Sequence, residues 1–275
     1  MSDTGPDLWG VWRDRDRLRR NLEQPLLAPW RQQTLDKLSQ SLNEPLAAVE
    51  DSTDAMRKLS EQAQSLAFAY VVTDEPAYAD RAVSCLDLVR ASDARWDSVA
   101  HNAMYPEDTA DLGTAETTKA CANAVSWLWP TLSEHQRAGF VAMVAERGGQ
   151  AIYQGATAGC WWGNALNSNW TAVLNAGLAF AALLRVGAEE RVGARVLTRA
   201  SSSLSAWGHA DPRALDWLAC ARSRTIEMLD LAAEEGAGVE GAGYWLYCFG
   251  TLQDIVEAVL NVTGENLYEH PFWRV

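Results

Sequence analysis

The chain has 275 residues, 48% of them hydrophobic and 21% charged. That is ordinary globular composition and excludes disordered, collagen-like and low-complexity classes. A formal net charge of −13 argues against a nucleic-acid partner, which needs a concentrated positive patch, and disfavours polyanionic substrates wherever no arginine cluster overrides it.

The amino terminus has no basic stretch followed by an apolar one, so no secretory signal is expected. Helical periodicity then runs through almost the whole chain. Two helices fit about 11–21 and 26–41. Met56, Leu59, Ala63, Leu66, Ala67 and Tyr70 follow an i, i+3, i+4, i+7 stripe, and Tyr78, Ala82, Cys85, Leu86 and Val89 repeat it after an Asp74 cap and Pro76. The next helix runs from about Thr114 to Trp129 and stops at Pro130. Ser133 with Gln136 opens another through a capping box, and Gly148-Gly149 ends it. Leu166 to Ala181 carries a further stripe, and helices fit about 188–206, 212–234 and 243–262. No sustained alternation and no Asn-Gly hairpin predicts a strand. The expected fold is all-α, one domain over 1–275, built of helical hairpins. No run of about 18 apolar residues predicts a membrane span.

Two long loops interrupt the pattern, Arg95 to Asp111 and Gln154 to Asn169, and both are polar and aromatic. Loops of that length in a compact helical domain usually carry function. The first holds His101 and Tyr105. The second leads into Trp161, Trp162, Gly163, Asn164, Asn167, Ser168, Asn169 and Trp170. Asparagine amides both donate and accept, so they can grip hydroxyl or carboxyl groups, and the amides of a helix N-terminus add a place for negative charge. Equally, Asn167 or Asn169 caps the helix and the tryptophans pack, which is also the expected fate of most of the 13 tryptophans.

Gly236, Gly238 and Gly241 spell GxGxxG, but the preceding residues look helical, and a dinucleotide-binding loop must follow a strand. Glycines here bring backbone close to a neighbour at the start of a helix. Tyr244 and Tyr247 share that helix's face, with Glu240 just ahead and Trp245 between them. No nucleophile elbow, P-loop or HExxH is present. Asp108, Asp111 and Glu116 read either as a cation site or as an acidic helix start. The five cysteines contain no CxxC, so neither a disulfide framework nor a zinc site is expected. No metal and no cofactor is expected, and the chain reads as cytoplasmic.

The stretch NSNWTAVLNAGLAFAALL resembles the "NNW…CNGGL" signature of heparinase II/III-like polysaccharide lyases, and EGAGVEGAGYWLYCFGTL resembles that family's "DG.Y.EGPGYW.YG". DLGTAETTKACANAVSWLWPTLSEHQRAGF and VTGENLYEHPFW extend the likeness over roughly Trp30 to Trp273. The resemblance implies an incomplete (α/α) toroid, without the β-sandwich domain that follows in the family. It also implies β-elimination on sugar acids. By position Asn169 matches the carboxylate-binding asparagine and Tyr244 the catalytic tyrosine, with Tyr247 the competitor; His101, in its long aromatic loop, is the candidate for an assisting histidine. His209, Arg222 and Arg224 are the other cations available. Trp161, Trp162, Asn164, Asn167, Trp170, Glu240 and Trp245 would line the substrate site. The expected partner is a small-molecule or oligosaccharide substrate, with no nucleic acid and no membrane. An apolar flank of the open ring predicts a homodimer or a partner chain. Two other readings stand beside the lyase: a biosynthetic dehydratase or cyclase, and a non-catalytic carbohydrate- or partner-binding module.

Overall fold

The structure is a computed structural model that describes residues 5–44, 46, 52–193, 211–235 and 241–274. Among these residues there is no strand. The helices are α1 (Arg15–Leu22), α2 (Ala28–Ser41), α3 (Thr53–Thr73), α4 (Pro76–Ala91), α5 (Val99–Met104), α6 (Leu112–Leu128), α7 (Glu134–Met143), α8 (Gln150–Ala158), α9 (Trp161–Asn164), α10 (Asn169–Gly193), α11 (Pro212–Glu235) and α12 (Ala242–Thr263).

Four of them form an inner row in the order α3, α6, α10, α12, each packed on the next. All four point the same way. Arg57 meets Glu116 near the starts of α3 and α6, and Phe68 meets Trp127 near their ends. Ala115 lies against Gly177 and Lys119 against Phe180, which aligns α6 with α10. Tyr247 meets Glu116 and Asp254 meets Lys119, which aligns α12 with α6. α11 and the segment α7–α8 return antiparallel. α11 pairs Asp211 with Arg185 (2.7 Å) and Thr225 with Asn175 (2.9 Å) along α10. The segment α7–α8 runs back along α6, from Arg137 at the Trp129 carbonyl to Ala151 at Thr109.

The chain from Gly5 to Arg15 fastens the C-terminal ends of the inner row. Ser126 donates to the Pro6 carbonyl (2.6 Å), Trp9 Nε1 to Asn123 (2.8 Å), Arg13 to Asn261 (2.6 Å), and Arg15 Nε to the Val71 carbonyl (2.7 Å). One end of the row is thus closed by the protein's own chain. The end carrying the N-termini of α6, α10 and α12 receives both motif segments and the 95–111 loop.

Several local expectations change. Asp74 takes the left-handed conformation (φ 65°) that ends α3, and Glu75 precedes α4. Gly148-Gly149 does not end a helix: α7 continues through a π-helical stretch, Val144–Gly149, into α8. Both glycines serve close packing. A Cβ on Gly148 would collide with Thr118, and one on Gly149 would stand 2.6 Å from the Trp217 ring. The expected long loop from Gln154 shrinks accordingly, because α8 and the one-turn α9 occupy most of it. The helix expected at 188–206 is the end of α10 as far as Gly193; residues 194–206 lie outside the described residues. One stretch of α10, Asn169–Glu189, is long and apolar enough to cross a membrane, but 89% of it is buried inside the fold. It reads as the core helix, apolar on all sides because α6, α11 and α12 cover it. All five thiols are unbridged.

Candidate active site at the N-terminal end of the inner row

The 95–111 loop is fixed by buried carboxylates. Asp97 takes the Arg95 guanidinium and the Asn102 amide (2.7 Å), and its carbonyl takes the Thr53 hydroxyl (2.7 Å). Asp111 caps α6 by accepting from Thr114 N (2.9 Å), and its second oxygen accepts from Ser98 N (2.8 Å). A loop held this way can present a side chain in one orientation.

That side chain is His101. Its Nε2 lies 2.9 Å from Asp108 Oδ2, and the two side chains are 7% and 1% exposed. An ionised carboxylate only accepts, so Nε2 carries the proton and Nδ1 is left as the ring's basic nitrogen. The imidazole stacks on Trp170 (centroids 5.2 Å, 29°) and lies 5.1 Å from the Tyr105 ring. Trp161 completes the cluster, 5.2 Å from Trp170 and 6.4 Å from Tyr105, and is 41% exposed. Asn169 opens α10 one residue before Trp170 and is 4% exposed.

On α12, Tyr244 is 58% exposed. Tyr247 lies one turn further on and donates to Glu116 Oε1 (3.0 Å), while Glu116 Oε2 holds Arg57 Nη1 (3.4 Å). Burial raises the Tyr247 phenol above its ordinary pKa, and the Glu116 carboxylate raises it further; Arg57 opposes them without prevailing. This phenol is held in its protonated form. Replacing Glu116 with glutamine removes the facing charge, so Tyr247 should ionise at lower pH. A tyrosinate absorbance titration of E116Q against the native chain checks this, with one tyrosine moving down.

Gly241 starts α12 with φ 92°, a conformation that favours glycine, and supplies no side-chain cap. No side chain among the described residues is seen to cap the first turn of α12. Gly241 and Gly243 do not serve the expected close approach among the described residues, where a Cβ on either would meet nothing within 4 Å. Gly236, Gly238 and Glu240 lie outside the described residues, as does His209.

The structure separates other residues expected to act together. Trp162 is 1% exposed and packs over Gly155, so it is a core residue and cannot line a substrate site. Trp245 packs at a tilt against Phe249 (4.6 Å, 49°), which stacks on Phe272, and so turns toward the C-terminal aromatic cluster. Asn164 is exposed but on the α11 side of α9, while Asn167 is exposed on the connection to α10. Arg222 is bound by Glu265 (2.6–2.8 Å), and Arg224 donates to the Ala156 carbonyl (3.1 Å). Asp108, Asp111 and Glu116 each have a different task, and no group of three metal-ligating side chains occurs among the described residues. Sequence reasoning missed the Arg57–Glu116–Tyr247 chain and the pairing of Asp108 with His101. The latter had a weak signal, an acid seven positions from a histidine in one aromatic loop.

No protein-family model matches this sequence, and no curated protein does. The likeness to heparinase II/III-like lyases rests on the motif segments themselves.

Proposed function

We propose that the chain is a lyase-like enzyme that removes a proton next to a carboxylate and eliminates a β-oxygen from a sugar acid, an oligosaccharide or a related small molecule. The observation that carries this reading is the Asp108-supported His101 at the same end of the inner row as the start of α12. In the reaction a C–H bond α to the carboxylate breaks, its electron pair becomes a C=C bond, and the β C–O bond breaks as the leaving oxygen takes a proton. The Tyr244 oxygen accepts the first proton as its own proton passes to His101 Nδ1. Tyr247, kept protonated by Glu116, suits the donor side. Charge developing on the substrate carboxylate needs positive partners in a chain of net charge −13. The N-terminus of α12 contributes them as partial charges, and Asn169 is the candidate carboxylate-binding amide.

The test is incubation with oligosaccharides of uronic acids, followed by near-ultraviolet absorbance of the unsaturated product. Y244F is expected to lose about 10²-fold or more in rate, the scale of a lost proton-transfer group, with unchanged circular dichroism. N169A is expected to lose the product as well. Absence of product with every uronate tested, or full activity in Y244F, overturns the proposal.

A homodimer is part of the same proposal. Leu26, Leu27 and Trp30 stand exposed together at the start of α2. Light scattering should give twice the chain mass, and a monodisperse monomer counts against it.

A further inference from the structure

The short helix α9 has two working faces. Trp161 joins the aromatic cluster on one. On the other, Gly163 and Asn164 close a pocket of about 270 Å³ against α11, across from Arg224 and Glu227. This lies below the ~300 Å³ at which drug-sized ligand pockets begin, so the occupant is small.

Several of the described arginines answer a carboxylate, as Arg15 and Arg19 do with Asp74 and Arg222 does with Glu265. Arg224 has no carboxylate within ion-pair distance among the described residues. Among the described residues its one bond runs from Nη2 to the Ala156 carbonyl (3.1 Å), which anchors one end of the guanidinium and leaves its other N–H groups unengaged. Gly163 lets α9 pack closely on the Ala156 backbone (a Cβ would stand 3.1 Å from the Ala156 carbonyl) and lies beside the guanidinium, 3.5 Å from Arg224 Nη1 at the position of that Cβ. A guanidinium with N–H groups unengaged and a pocket beside it is suited to a planar carboxylate held by two parallel bonds.

The rest of the lining narrows the ligand. Glu227 accepts from Ser223 Oγ through Oε1 (2.8 Å), which leaves Oε2 to receive a donor. Its charge disfavours a phosphate dianion and favours a hydroxyl or ammonium group. Asn164 offers an amide that serves either partner. Leu166 and Cys220 supply the apolar wall.

We propose that this pocket binds a small hydroxy- or amino-carboxylate, its carboxylate on Arg224 and its hydroxyl or ammonium toward Glu227. The site is separate from the His101 cluster and does not depend on the lyase reading. The test follows the amide resonances of Gly163 and Asn164 in the full chain as glycerate, L-serine or inorganic phosphate is added. Glycerate or serine is expected to shift them saturably, and phosphate is not. R224K keeps the charge and a donor for Ala156 but loses the fork, so affinity should fall roughly tenfold or more. E227Q, on the exposed rim, should weaken binding without altering the thermal midpoint of the free protein. The proposal is overturned if neither carboxylate gives a saturable shift, if R224K binds as the native chain does, or if phosphate binds as tightly as glycerate.

Discussion

Replacing Trp162 with alanine is expected to lower folding stability by about 3–5 kcal/mol, the usual loss for a buried aromatic truncated in a packed core. The indole is among the largest fully buried side chains. It fills the space over Gly155, where even a Cβ would stand 2.5 Å from Cζ2, so the backbone of α8 has no side chain with which to refill the gap. Its carbonyl accepts the Thr171 hydroxyl (2.5 Å), which ties α9 to the first turn of α10. The loss should therefore reach the cluster as well, because Trp161 and Trp170 take their positions from these two helices. Urea denaturation followed by tryptophan fluorescence measures the first effect. A decrease under about 1 kcal/mol would show that the site collapses without a cavity. The reverse change, G155A, forces the ring aside and should cost about 1–3 kcal/mol by overpacking.

Asp108→Asn is expected to act mainly on chemistry. Both side chains of the His101–Asp108 pair are buried, so the carboxylate fixes which imidazole nitrogen carries the proton. An asparagine amide can turn its NH₂ toward Nε2, which moves the ring proton to Nδ1 and removes the basic nitrogen. Under the proposed elimination this lowers the rate by about 10²–10⁴-fold, the range for lost acid–base catalysis and tautomer control. The stability cost is smaller, about 1–3 kcal/mol, because a neutral imidazole can keep one hydrogen bond. Rate and urea midpoint measured on the same preparation separate the outcomes. A lowered midpoint with an unchanged rate would make the pair structural and remove His101 from the mechanism.

How legible these groups were depended on distance along the chain. The capping box of Ser133 and Gln136 and the boundaries of α2, α11 and α12 follow from neighbours within four residues, and they stand nearly where periodicity put them. Gly148-Gly149 misled for the opposite reason. A glycine pair means a helix end when read locally, but here its meaning comes from Thr118 and Trp217, some 30 and 70 positions away. Trp161 and Trp162 show the same limit in one dipeptide. Adjacent helical positions lie about 100° apart around the axis, so one ring reaches solvent and the other is sealed in the core.

Apolar stripes at helical spacing and the scarcity of alternating runs were enough, from the sequence alone, to make this chain all-α and to mark the aromatic segments around His101, Asn169 and Tyr244. Backbone hydrogen bonding within a helix is local, so its signature is local too. Only the tertiary structure decided that four helices run in parallel with their starts at one end. It also decided that Glu116 gathers Arg57 and Tyr247 across 59 and 131 positions, and that Asn164 turns to a pocket apart from Trp161. Those choices rest on which helix faces bury against one another, a property of pairs of elements that no single stretch of sequence contains.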